Sequence, residues 1–243
     1  MRPRDFYLAH PEDGAAVNGR IRKAAAMLQR FAPRPARLLD IGCGAGVATR
    51  FIADCVEAGQ AFGVDIAEPD AARALGIAAS MCDLECDRLP FDDASVNAIH
   101  CGEVIEHLVD TDHLMDEIYR VLAPDGVCVL STPNLAAWHN RIALAFGFQP
   151  FLSQVSFRFA PGRMPLSPGE GGGHLRMFTR GALVEFIKLH GFEVLQQQGV
   201  GIFDLGMPQG SAVMKLLVAP FDRLLSAMPS IASDVLVAFR RRS

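Results

Sequence analysis

Short apolar runs alternate with segments of helical periodicity through the first half of the chain. Five runs have the length and apolar content of buried strands: 37–42, 61–66, 78–84, 95–101 and 127–132. Three segments with helical spacing lie between them: 47–59, 68–75 and 111–122. This alternation predicts an α/β protein, in which a parallel sheet carries helices on both faces and the crossovers are right-handed.

The pattern changes at both ends of this region. Residues 15–31 have one apolar side and precede the helix-stopping Pro33 and Pro35, so we predict an N-terminal helical arm over residues 1–35. Residues 147–178 are rich in Gly, Pro and Phe and lack periodicity, which predicts a lid or a substrate-pocket insertion. Beyond it we predict, in order, a helix, a strand, an amphipathic helix and a strand, at 179–190, 192–200, 215–228 and 234–240. All 243 residues are expected to form a single domain.

Composition narrows the possible partners and compartments. The formal net charge of −4 argues against a general nucleic-acid binder, and no run approaches the roughly 18 apolar residues of a membrane span. The apolar stripe of 215–228 and the terminal arginines resemble a membrane-surface anchor, but we expect core packing instead and no membrane attachment. The six cysteines form no C-x-x-C pair, and no signal-like segment opens the sequence, so we predict reduced thiols and a cytoplasmic protein.

Three glycines at alternate positions follow the first predicted strand. Gly42, Gly44 and Gly46 allow a sharp turn with positive φ and bring bare backbone close to a ligand at the carboxyl end of the sheet. The third glycine comes one residue too early for the dinucleotide fingerprint G-x-G-x-x-G. No Gly-Lys-Ser/Thr follows, which excludes a P-loop.

Acidic residues end the next two predicted strands. Asp65 lies 19 positions beyond Gly46, where a carboxylate can accept hydrogen bonds from both hydroxyls of an adenosine ribose. Asp83 ends the third strand, within reach of an adenine edge. Either acid alone is more often a turn residue. Together with the glycines they indicate a nucleoside-binding edge.

The motifs "LLDIGCGAG", "GVDIAE", "CDLE", "LPFDDASVNAIHCGEVIEHL", "EIYRVLAPDG" and "STPN" together resemble the class I S-adenosylmethionine-dependent methyltransferases, closely over about residues 37–134. The resemblance implies a Rossmann-like doubly wound sheet of seven strands, mostly parallel with an antiparallel last strand. It also implies that Asp40 and the glycine loop hold the methionine part of S-adenosylmethionine. The cofactor-binding residues suggested by this resemblance are Asp40, Gly42, Cys43, Gly44, Asp65, Ile66, Asp83 and Leu84.

The motif "GEVIEHL" adds possible catalytic and metal-binding groups. If 103–108 is helical, Glu103, Glu106 and His107 share one face, as in half of a divalent-metal site. Glu103 is also placed to approach the methionine end of the cofactor. The same pattern binds magnesium in ubiquinone-biosynthesis O-methyltransferases and occurs in small-RNA 2′-O-methyltransferases, where a further His completes the site. His174, after a glycine run, is the candidate here. In metal-free methyltransferases the same Glu and His instead hydrogen-bond the backbone and frame the pocket.

We therefore predict an S-adenosylmethionine-dependent methyltransferase that acts on a small, partly apolar acceptor, with O-methylation favoured. His174 or His107 would remove the acceptor proton, with or without a metal such as Mg²⁺ held by Glu103, Glu106, His107 and His174. An RNA-terminal 2′-O-methyltransferase and a non-catalytic cofactor-binding module stay open as alternatives. A nicotinamide oxidoreductase fits the first strand and helix, but it fails on the glycine spacing.

Overall fold

A computed structural model describes residues 17–156, 158–164, 173–205 and 212–242. Strands and helices alternate through most of the chain. The strands are β1 (Arg37–Ile41), β2 (Gln60–Asp65), β3 (Ala78–Met81), β4 (Val96–Gly102), β5 (Leu122–Pro133), β6 (Phe192–Val200) and β7 (Asp234–Arg241). The helices are α1 (Gly19–Phe31), α2 (Val47–Cys55), α3 (Asp70–Ala74), α4 (Thr111–Val121), α5 (Trp138–Ala145), α6 (Arg180–Leu189) and α7 (Ala212–Ser226). Two single 3-10 turns cover Ile105–His107 and Ile202–Leu205.

The seven strands form one sheet in the order β3-β2-β1-β4-β5-β7-β6. The pairs from β3 to β5 are parallel, whereas β7 runs antiparallel to both of its neighbours. The predicted fold class is therefore confirmed. Because β7 runs in the opposite direction, its first residue, Asp234, pairs with Pro133 and Val200 at the carboxyl ends of β5 and β6. The chain order thus brings a carboxylate from residue 234 to the edge where the glycine loop lies.

Two apolar layers enclose the sheet. One layer combines buried side chains of α1 and α2, such as Leu28 and Ile52, with one face of the central strands. The other combines α4 and α6, through Met115 and Ile187, with the opposite face. The central strands are apolar on both faces because both faces are covered.

Two elements differ from their predicted form. β5 begins at Leu122 instead of residue 127, since Val96 pairs with Leu122 and Ala98 pairs with Val127. The turn-like residues 123–126 are accommodated as a bulge within the strand. The helix over 103–108 on which the shared face of Glu103, Glu106 and His107 was conditional is not formed: Ile105–His107 forms a 3-10 turn, and Glu103 before it has a φ of +58°.

The predicted arm and insertion lie partly outside the described residues. Of the arm, 17–35 are described and contain α1, whereas 1–16 are not. Of the insertion, 147–156, 158–164 and 173–178 are described. All six cysteines are free thiols. No helix in the described part of the chain is both long and apolar enough to span a bilayer.

Candidate active site

The glycine loop turns directly out of β1. The amides of Gly42 and Cys43 both donate to the Val64 carbonyl of β2, at 2.8 and 3.0 Å. Gly42 has a φ of +78°, and a Cβ there would lie 2.4 Å from the Val104 side chain, so glycine is required. At Gly44, by contrast, a Cβ would find no atom within 4 Å. The loop therefore presents bare backbone to open space at the carboxyl edge of the sheet.

Asp65 lies beside this loop at the end of β2. Its two carboxylate oxygens accept from the amides of Gly44, at 2.8 Å, and Ala67, at 3.0 Å. A carboxylate has about four acceptor positions, so capacity for further donors remains. Ile66 follows it and is half-buried. The geometry thus places the predicted ribose-binding acid next to the predicted methionine-binding loop.

Asp83 has the contacts of a turn residue. Its carboxylate accepts from the Glu85 amide at 3.2 Å, and its own amide donates to the Asp87 carboxylate at 2.9 Å. Leu84 is buried in the larger apolar layer. The adenine contact of these two residues stays a prediction.

Asp40 lies beneath the loop and is buried. One carboxylate oxygen accepts from Nδ1 of His100 at 2.7 Å, and the other accepts from the Thr49 hydroxyl of α2. The carboxylate therefore ties β1 to β4 and to the helix that follows the loop. Asp40 would therefore influence binding of the methionine part of a ligand indirectly, by holding the glycine loop in place.

Glu103 belongs to a charged group that joins three distant segments. Its carboxylate forms an ion pair with Arg20 of α1 at 2.7 Å and accepts from the Ser131 hydroxyl of β5 at 3.1 Å. Arg20 also lies 3.4 Å from the carboxylate of Asp234, at the start of β7. The first helix and the last strand thus meet at the end of β4.

The structure brings together three of the four predicted metal-binding residues. Glu106, His107 and His174 offer ligand atoms that all lie within 4.8 Å of one another, and the two imidazole rings are 4.8 Å apart. The Glu106 carbonyl accepts from the amides of Leu175 and Arg176, which fixes the His174 segment against the turn. Glu103 is not in this group. We call Glu106, His107 and His174 the Glu–His–His cluster.

The cluster has unused hydrogen-bonding capacity. Oε2 of Glu106 accepts from the Thr132 hydroxyl at 2.9 Å. Oε1 of Glu106 and Nδ1 of His174 are buried and have no hydrogen-bond partner among the described residues. Unpartnered buried polar atoms are costly, so they indicate a place where a ligand binds.

Burial determines the charge state of this region. It raises the pKa of Glu106 well above the ordinary value, with a further contribution from the Glu103 charge. Burial lowers the pKa of His107 to about 4 and that of His174 to about 3. The pKa of Asp234 rises to about 8, because burial and Glu103 outweigh Arg20. At neutral pH both imidazoles are therefore uncharged.

A family model described as "Methyltransferase domain" matches residues 17–197. The chain belongs to the class I S-adenosylmethionine-dependent methyltransferases. A protein of Mycolicibacterium smegmatis described as a probable S-adenosylmethionine-dependent methyltransferase is 32% identical over 236 residues, which cover 90% of this chain and 81% of that protein. The ubiquinone biosynthesis O-methyltransferase of Psychrobacter cryohalolentis is 30% identical over 109 residues, which cover 40% and 41% of the two chains.

Solved structures share the methyltransferase fold. The 1,6-didemethyltoxoflavin-N1-methyltransferase of Burkholderia thailandensis, solved with its substrate and S-adenosylhomocysteine, has a TM-score of 0.60. Its sequence is 19% identical, and the match covers 99% of this chain and 87% of that one. At this identity the likeness concerns the fold alone.

Several residues of this methyltransferase site were missed by sequence reasoning. Arg20 and Asp234 are 214 positions apart, and neither lies in a recognisable motif. Ser131 and Thr132, which bind Glu103 and Glu106, lie in "STPN", a motif whose individual contacts were not predicted. His100 alternates with buried strand residues and was interpreted only as part of β4. A polar residue in an otherwise apolar strand was the one signal that could have identified it.

Proposed function

We propose that this methyltransferase methylates a hydroxyl group of a small, partly apolar acceptor. The observation that carries the proposal is the Glu–His–His cluster, in which neutral buried imidazoles adjoin unpartnered polar atoms at the carboxyl ends of β4 and β5. A hydroxyl acceptor must lose its proton during transfer, and a neutral imidazole can receive it. The acceptor class is also supported by the partial likeness to ubiquinone biosynthesis O-methyltransferases.

The glycine loop fits the methyl donor, because no atom lies within 4 Å of the position that a Cβ of Gly44 would occupy. A ligand can therefore approach the backbone there. In the proposed complex, Gly42, Cys43 and Gly44 border the methionine part and Glu103 meets its amino group. Asp65 and Ile66 border the ribose, and Asp83 and Leu84 the adenine. S-adenosylmethionine supplies an activated methyl group on a positively charged sulfur.

His174 is the proposed catalytic base, and His107 supports it. Nδ1 of His174 has no partner within the described part of the chain, so it is available to an acceptor hydroxyl. A buried imidazole with a low pKa is a weak base. The proton of the acceptor hydroxyl, however, would move to His174 while methyl transfer converts the positive sulfonium into a neutral thioether. The net charge of the site would therefore not change. The carboxyl group of Glu106 lies within 4.8 Å of the ligand atoms of both imidazoles, so it adjoins the imidazolium that would form.

The cluster also suits a divalent metal, and this version of the site is the second candidate. Oxygen and imidazole ligands are those that Mg²⁺, Mn²⁺ or Zn²⁺ use in proteins, and no described residue partners Oε1 of Glu106 or Nδ1 of His174. Glu106, His107 and His174 would hold the ion, which would lower the pKa of a bound hydroxyl. Glu103 is committed to Arg20 and Ser131, so a fourth ligand position would be left for the acceptor or water.

A panel of acceptors tests the proposal. Phenols, amines and carboxylic acids with the same apolar substituent are incubated with enzyme and donor, and the methylated atom is identified by mass spectrometry and NMR. We expect transfer to phenolic oxygen, strongly reduced in His174→Ala. Exclusive transfer to nitrogen or carboxylate oxygen would refute O-methylation of a hydroxyl. Stoichiometric metal in the purified protein, with activity lost to a chelator and restored by that metal, would select the metal-assisted version.

A further inference from the structure

The described side chains of helix α7, residues 219–226, bury polar groups and expose apolar ones. Its polar residues Asp222 and Ser226 are buried, at 1% and 7% exposure. Its apolar residues Phe221, Leu224 and Met228, which closes the segment after the helix, are exposed by 50%, 66% and 46%. The described end of the apolar stripe that we expected to pack in the core therefore exposes Phe221, Leu224 and Met228. A soluble surface rarely exposes such a stripe without something to cover it.

Two neighbouring elements extend this apolar surface. The Trp138 ring at the start of α5 packs 5.7 Å from the Phe221 ring, and its Nε1 donates to Asp222 at 3.2 Å. The loop after α5 is tied to that helix through the Phe151 amide, which donates to Asn140 at 2.7 Å. The exposed apolar residues on α5 and in this loop are Ile142, Leu144, Phe146, Val155 and Phe159. With Phe221, Leu224 and Met228 we call them the apolar face.

The stretch of sequence that contains α5 and the loop after it carries basic residues and no acidic ones. From Gly126 to Gly169 there is no Asp or Glu, whereas Arg141, Arg158 and Arg163 are present. By contrast, 17 of the 27 acidic residues lie between Asp54 and Asp125, with only three arginines. Arg141 and Arg158 are exposed, as is Arg223 on α7. The molecule is thus polarised, with its acidic residues concentrated in the half that contains β2, β3 and β4.

We propose that the apolar face docks on an anionic lipid surface, with Phe146, Phe159 and Phe221 in the interface and the arginines at the headgroups. Apolar side chains bordered by arginines are the features by which a helix binds in the plane of an anionic bilayer. The acidic half would be repelled by the same surface, so the charge distribution also fixes the orientation. A second copy of the chain is a poorer occupant, because both copies would bring the same basic side chains to the interface and neither would bring an exposed acid from residues 126–169. The inference does not depend on which acceptor is methylated.

Sedimentation with lipid vesicles tests the proposal. We expect the full chain to bind vesicles of phosphatidylcholine and phosphatidylglycerol, to bind pure phosphatidylcholine far more weakly, and to be released by salt. The double variant Phe221→Glu/Leu224→Glu should lose at least about tenfold in vesicle affinity, since it removes apolar contacts and adds repelled charges. Arg223→Gln alone should lose roughly fivefold. The matched control is Leu189→Glu, since Leu189 at the end of α6 is 77% exposed but lies outside the apolar face.

Each variant is checked for folding by thermal unfolding and by calorimetry with S-adenosylhomocysteine, in comparison with the unaltered chain. The proposal is overturned if the unaltered chain does not sediment with anionic vesicles. It is also overturned if Leu189→Glu loses as much affinity as the double variant. Light scattering that shows a dimer, dissociated by Phe221→Glu/Leu224→Glu, would assign the apolar face to a second copy and likewise overturn it. Loss of methyl transfer without loss of vesicle binding would instead bear on the proposed function alone.

Discussion

The donor half and the acceptor half of the site are built in different ways. In the donor half, the loop after β1 and Asp65 after β2 are joined by hydrogen bonds between neighbouring strand ends. In the acceptor half, His107 and His174 come from the turn after β4 and from the insertion. The charged group beside them, shared by both halves, draws Arg20 from the first helix and Asp234 from the last strand. The first half is a local structure with a sequence motif, whereas the second exists only once the whole chain has folded.

Replacement of the proposed base should have the largest effect on the acceptor half. His174→Ala is expected to lower kcat by about 10²- to 10⁴-fold, the usual contribution of a general base. Donor affinity should change little, because the donor half is unaltered. His190→Ala, which removes a histidine at the far end of α6, is the control. Steady-state kinetics and donor calorimetry measure the two effects, and unchanged turnover would remove His174 from the mechanism.

Replacement of Asp65, the proposed ribose-binding acid, should weaken donor binding and leave the acceptor half unaltered. Asp65→Ala is expected to weaken S-adenosylhomocysteine binding by about 100-fold, since each hydrogen bond to a charged group contributes ~1.5–3 kcal/mol. It also leaves the Gly44 amide without its acceptor. Asp70→Ala, an exposed acid on α3, is the control. Calorimetry that finds equal affinity in both variants would contradict the assigned role of Asp65.

Removal of the Arg20 charge, which lies beside both halves, should lower the free energy of unfolding. Arg20→Gln leaves the Glu103 carboxylate without its counter-charge and removes a hydrogen-bond donor from the carboxyl group of Asp234, at a cost of about 2 kcal/mol. Arg20→Lys should recover part of the loss, and Lys23→Gln, which removes a more exposed ion pair on the same helix, should cost less than 1 kcal/mol. Chemical denaturation measures these differences. Equal effects of Arg20→Gln and Lys23→Gln would show that the buried group is not structurally important.

The smallest effect, counted per pH unit, is on the pH dependence of the free energy of unfolding. The pKa of Asp234 is about 8 in the folded protein, above its ordinary value of 3.8. Between these values the folded protein holds a proton that the unfolded chain has released, so the free energy of unfolding falls as pH rises. This contribution is complete below pH 4 and lost by about pH 8, with a slope of about 1 kcal/mol per pH unit. Asp234→Asn should reduce the slope, the remainder being due to Glu106, whose pKa burial also raises. Denaturation curves that keep the full pH dependence would contradict the buried, protonated state of Asp234.

The local elements of the donor half and the regular strands were easier to predict from the sequence than the acceptor half. The strand at 192–200 was located to the residue because Gly191 ends the helix before it. β7 was located to within one residue because its apolar run is typical of a buried strand. The glycine loop and Asp65 were located because their spacing in the sequence reflects neighbouring strand ends. A helix over 103–108, which would have put Glu103 on one face with Glu106 and His107, does not form, because Glu103 has a positive φ where Val104 packs over Gly42.

The acceptor half could be predicted only in part. His107 and His174 were paired by the resemblance to a family, and nothing in their local sequence fixes their distance. Arg20 and Asp234 could not be found, because an ion pair across 214 residues depends on the direction of β7 and on the face to which α1 packs. The exposure of α7 was missed for the same reason: a periodic apolar stripe identifies a face of a helix but not what covers it.

The central claim is that the two halves meet around one donor, with its ribose at Asp65 and its sulfur facing the Glu–His–His cluster. A crystal structure with S-adenosylhomocysteine and a phenolic acceptor tests it most directly. The account predicts both ribose hydroxyls within hydrogen-bonding distance of the Asp65 carboxylate and the acceptor oxygen between the sulfur and His174, with or without a metal. A donor bound elsewhere, or an acceptor oxygen with no contact to His174, would contradict it.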